Sequence, residues 1–87
     1  MDNNEIRTRL LALLSRIAPD VDADRIDPKR PLRDQFDFDS MDALHFAAAL
    51  SEAFHLDIPE RDYPQLASLE GAALFVLSHL PAGGGTA

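Results

Sequence analysis

Over residues 4–18 apolar side chains recur at helical spacing, with Ile6, Leu10, Leu13, Leu14 and Ile17 on one side and Arg7, Arg9 and Arg16 mostly on others. The pattern predicts an amphipathic helix, capped by Asn3 or Asn4 and ended near Ala18 by Pro19. Residues 19–39 carry Pro19, Pro28 and Pro31 among many short polar residues and read as a long connection. A structureless loop of that length is uncommon in a compact domain. Val21, Ile26, Leu32, Phe36 and Phe38 supply apolar anchors, so the loop is expected to be pinned across a bundle, with one short helical turn.

A second helix is predicted over residues 40–55, with two apolar stripes. Ala43, Phe46, Ala47, Leu50 and Phe54 suit a core. Met41, Leu44 and Ala48 fall roughly opposite, because residues two apart are separated by about 200° around a helix. That second stripe is either ordinary exposed apolar surface or a docking face, and the pattern alone leaves both open. Further on, Ile58 reads as a core anchor, and Pro59 through Tyr63 as a short helical turn that Pro64 ends. Ser68 is expected to cap a last helix over 69–80, with Leu69, Ala72, Ala73, Val76, Leu77 and Leu80 inward and Pro81 closing it. Residues 81–87 read as a flexible tail, leaving an ordered core of about 4–80. The expected fold is all-α: three longer helices, one short helix and a long first loop.

Length and composition narrow the function. At 87 residues the chain suits a single small domain with a modest core. There is no cysteine, so neither a disulfide nor a zinc–thiolate site can brace it. The net charge of −7 disfavours nucleic acid and anionic membrane, and favours partners with a basic patch. No apolar run reaches the roughly 18 residues needed to span a bilayer. Met1-Asp2-Asn3-Asn4-Glu5 does not read as a signal peptide, so a cytoplasmic protein, and a monomer, is expected.

Candidate chemistry converges on one serine. Asp37-x-Asp39 resembles the start of a calcium loop, but Met41, Asp42 and Ala48 stand where its later positions need a ligand, a glycine and a glutamate, so no metal site is expected. His45, His55 and His79 are not spaced to work together, and Ser40 lacks the Gly-x-Ser-x-Gly elbow, so no catalytic residue is expected. Ser40 itself opens the second helix between Asp39 and Asp42. A serine there is most often an N-cap. It can also carry a phosphate that the helix N-terminus helps to hold.

At these residues the chain resembles the acyl carrier protein family, whose signature is Asp-Ser-Leu at the start of the second helix of a four-helix bundle. Here Asp39-Ser40-Met41-Asp42-Ala43-Leu44 stands in that place. Phe54, Asp57-Ile58-Pro59, the turn at Glu60–Tyr63 and Ser68-Leu69-Glu70 follow in matching register, so the likeness covers about residues 4–80. The resemblance implies a free-standing acyl carrier with 4′-phosphopantetheine esterified to Ser40, Asp39 beside it, and cargo held as a thioester on the arm. It implies a phosphopantetheinyl transferase and acyl ligase, acyltransferase or ketosynthase-type enzymes as partners, met through Met41, Asp42, Leu44, His45, Ala48 and Glu52. It also implies that short acyl chains tuck against Phe46, Leu50 and Ile58.

Three departures from the family pattern bear on this. Asp37 replaces a usual glycine, Met41 a leucine, and His45, Ala48 and Ser51 occupy positions usually rich in glutamate. A specialised carrier for a fatty-acyl, polyketide or related pathway fits this less acidic face. The remaining readings are a peptidyl or aminoacyl carrier, or an unmodified helical adaptor in which Ser40 only caps.

Overall fold

The computed structural model describes residues 2–80. Helix α1 spans Asn3–Ile17, α2 Ser40–Phe54 and α3 Leu69–His79; a 3₁₀ helix, Glu60–Leu66, joins α2 to α3. These four helices form the expected all-α bundle, with no strand among the described residues. The stop at Pro81 and the expected tail lie outside the described residues.

α1 begins earlier than its apolar pattern indicates. Asp2, in an extended conformation, is the N-cap, and its carboxylate accepts the Glu5 N–H at 2.9 Å, so neither asparagine caps. A carboxylate adds negative charge at the positive end of the helix dipole, which an amide cannot. Ile6, Leu10 and Leu14 are buried, and Leu13 and Ile17 pack beside them.

The first loop holds two short 3₁₀ turns rather than one, Ala23–Arg25 and Leu32–Asp34. It is pinned as its apolar anchors predict. Leu32 is fully buried, its N–H donates to the Ala67 carbonyl at 2.8 Å, and the Glu70 N–H donates to the Pro28 carbonyl at 2.8 Å. Gln35 serves the loop from within: its Oε1 accepts the Asp27 N–H at 2.6 Å, and its Nε2 donates to the Asp27 and Arg30 carbonyls at 2.8 and 3.0 Å. Such partners satisfy backbone groups that no helix ladder reaches. Phe36 meets Phe38 edge to face at 5.5 Å, and Phe38 meets Phe46 in the same way at 6.2 Å.

Two details of the C-terminal half differ from the expectation. Pro64 does not end the short helix but sits inside it, and the segment continues to Leu66. A 3₁₀ helix needs only i→i+3 bonds, and here Pro64 acts as the acceptor, taking the Ala67 N–H at 3.3 Å. In α3, Leu77 is 45% exposed, whereas Phe75 is buried. α3 packs against both α1 and the 3₁₀ helix, so its buried arc is wider and turned from the one a single apolar stripe suggests. Phe46, Leu50, Leu10, Phe75, Val76 and Leu32 form the centre, none more than 2% exposed.

Candidate functional site

The start of α2 is built by two aspartates. Asp39 is the N-cap: its carboxylate accepts the Asp42 N–H at 2.9 Å, and the Asp42 carboxylate accepts the Asp39 N–H at 3.3 Å, closing a capping box. Ser40 is therefore the first helical residue and not the cap. The reading in which Ser40 only caps fails here, because the preceding carboxylate already does that work. The Ser40 side chain is exposed and carries no capping duty.

The backbone leading to this point is ordinary. His55 is the one non-glycine residue with positive φ among those described, so Asp37 does not need the conformational freedom of the usual glycine. Phe36 and Phe38, both half-buried, hold the approach to Ser40 against the core.

Beside Ser40 lies a groove of about 490 Å³ between the loop, α2 and the 3₁₀ helix. Phe46 and Leu66 are its buried floor; Phe38, Ala43 and Tyr63 form its walls; Arg33, Asp39 and Ser40 lie at its exposed rim. Of the residues expected to meet an acyl chain, Phe46 lines the groove, whereas Leu50 and Ile58 do not; Leu50 is fully buried in the core and Ile58 packs half-buried against it. Arg33, Tyr63 and Leu66 come to this site only through the tertiary fold. No spacing along the chain relates them to Ser40.

Beyond Ser40, Met41 is 57% and Leu44 45% exposed, and His45, Ala48 and Glu52 are exposed with them on one face of α2. The second apolar stripe is thus surface. Asp42 differs from its neighbours, being half-buried with its carboxylate held in the capping box. His45 and Glu52 also border a larger groove of about 600 Å³ toward Leu13, Arg16 and Ile17 of α1, away from Ser40. His55 ends α2 in the left-handed conformation, φ 54° and ψ 46°; His79 stacks on Phe75 with ring centres 4.1 Å apart. The three histidines thus serve separate helix ends and faces. Among the described residues, no cluster of three or more His, Cys, Asp or Glu is arranged to hold a metal ion.

The family model for the phosphopantetheine attachment site matches residues 8–76, most of the chain. The chain belongs to the acyl carrier protein family. It is 28% identical over 79 residues to acyl carrier protein 2, mitochondrial, of Arabidopsis thaliana, covering 91% of this chain and 62% of that protein. It is 28% identical over 76 residues to an acyl carrier protein of Rubrobacter xylanophilus, covering 84% of this chain and 94% of that one. The cofactor of the family is 4′-phosphopantetheine, and its members carry a bound group rather than catalyse a reaction. No helix among the described residues is long and apolar enough to cross a membrane.

The residues present fit that cofactor. An exposed hydroxyl stands on the first turn of a helix, where free N–H groups and the dipole favour an anionic ester. The adjoining groove can receive an arm, and the helix is stabilised by other residues, so esterifying the serine costs the fold no cap.

Proposed function

We propose that Ser40 is the attachment residue and that the chain is a specialised acyl carrier for a fatty-acyl, polyketide or related pathway. The observation that carries this is the division of labour at α2: Asp39 and Asp42 cap the helix and leave an exposed serine on its first turn. An arm esterified there supplies the thiol that this cysteine-free chain lacks. The protein's own residues position and present. Phe38 on Phe46 holds the approach, and the capping box fixes the helix start. Met41, Leu44, His45, Ala48 and Glu52 offer an exposed face on which a transferase or an acyl-loading enzyme docks. Because histidine, alanine and serine replace acids on this face, its partners depend more on apolar contact than on charge alone. A cytoplasmic setting belongs to the same proposal.

The test is intact-mass measurement after incubation with coenzyme A and a broad-specificity phosphopantetheinyl transferase. The expected result is a mass increase of one arm in the unaltered chain and none in Ser40→Ala. An unchanged mass, or an increase that survives in Ser40→Ala, overturns the assignment.

A further inference from the structure

The groove beside Ser40 has one cationic side chain on its rim, and its surroundings are acidic. Arg33 lines the groove with Ser40 and Asp39, while Asp34 and Asp37 are exposed nearby in sequence. A phosphodiester on Ser40 adds a further negative charge where two carboxylates already form the capping box. Arg33 is uncommitted: the ion pair found among the described residues joins Arg25 to Asp22 and does not involve it. Nor is its backbone loose. Leu32, just before it, is fully buried and hydrogen-bonded to Ala67, itself a residue of the groove, and Gln35 ties down the chain on the other side.

The groove offers the kinds of surface that the arm would meet. A phosphopantetheine arm runs from phosphate to a branched apolar segment and then to two amides. Arg33 and Ser40 line the groove together with the apolar side chains of Phe38, Ala43, Phe46 and Leu66 and with Tyr63, whose phenol is of a kind that can bond an amide. Its volume of about 490 Å³ falls in the range that receives small ligands.

Taking Ser40 as the attachment residue, we infer that Arg33 is a positioning residue for the arm: its guanidinium pairs with the phosphodiester and turns the arm's first segment into the groove. Guanidinium and phosphate are geometrically matched for paired hydrogen bonds. An exposed ion pair shifts an equilibrium by no more than about fivefold, so the arm remains free to exchange into a partner's active site.

The experiment compares amide and phosphorus NMR spectra of the apo and modified forms, with intact mass confirming modification. It uses the unaltered chain, Arg33→Gln, Arg33→Lys, and Arg30→Gln as an exposed control that does not line the groove. In the unaltered chain, modification is expected to shift the amides of Ala43, Phe46, Leu66 and Ala67 as well as those next to Ser40. Arg33→Gln is expected to shrink the Leu66 and Ala67 shifts at least about twofold and move the phosphorus resonance. Arg33→Lys should restore part of both, and Arg30→Gln should change neither. Raising ionic strength from about 0.1 M to about 1 M cuts the screening length about threefold and should drive the unaltered chain toward the Arg33→Gln spectrum. Shifts confined to residues 38–42, or groove shifts that persist in Arg33→Gln, overturn the inference while leaving attachment at Ser40 intact. No mass increase overturns attachment at Ser40, and the role of Arg33 with it.

Discussion

On the proposed attachment at Ser40, Asp39 and Ser40 divide two tasks that a lone serine at a helix start could combine. Because Asp39 makes the cap, Asp39→Ala is expected to lower stability by about 0.5–2 kcal/mol, whereas Ser40→Ala should change it by no more than about 0.5 kcal/mol. Parallel chemical denaturation of the two apo variants checks this; equal losses would place Ser40 in the cap after all. Ser40 stood out in the sequence because of its aspartate neighbours, but which residue capped did not, since serine and aspartate are near-equal caps and adjacent. Gly71 was equally opaque. A Cβ there would meet the Gln65 carbonyl oxygen at 2.5 Å, so Gly71→Ala should destabilise the chain despite alanine's better helix propensity, by about 1–3 kcal/mol in thermal unfolding. Nothing in a lone helical glycine announces a neighbouring carbonyl.

Within α2, two apolar stripes separate cleanly. Both could be read from a period of 3.6 residues, and the outer one, Met41, Leu44 and Ala48, is exposed as that phase requires. Met41→Glu and Leu44→Glu should each leave thermal stability nearly unchanged while slowing transfer from a partner enzyme. Phe46→Ala, on the inner stripe, should cost about 3–5 kcal/mol. In α3, which packs against both α1 and the 3₁₀ helix, Phe75 rather than Leu77 joins the core, a departure from the single stripe its pattern suggests. At the far end of α2, His55 holds a left-handed conformation that costs an ordinary residue about 1–2 kcal/mol. His55→Gly should relieve enough of this to raise the melting temperature by a few degrees.

For the molecule as a whole, the order of elements and the pinning of the first loop could be anticipated from apolar anchors between prolines. The means of pinning could not, because Gln35 binds backbone groups of Asp27 and Arg30 that become neighbours only once the loop has turned. Gln35→Ala should accelerate hydrogen exchange at the Asp27 amide, with little change in α1. The groove by Ser40 was illegible for the same reason, being assembled from three separated stretches.

The bonds from Leu32 to Ala67 and from Glu70 to Pro28 also fix a temporal order. During synthesis the serine leaves the ribosome well before the segment that braces its loop and floors its groove, and at roughly 5–20 residues per second that gap lasts seconds. The nascent chain therefore displays an unbraced Ser40 first, and the braced loop and groove beside it only after Glu70 has emerged. Chains released after residue 66 should be poor substrates for a transferase that accepts chains released after residue 80.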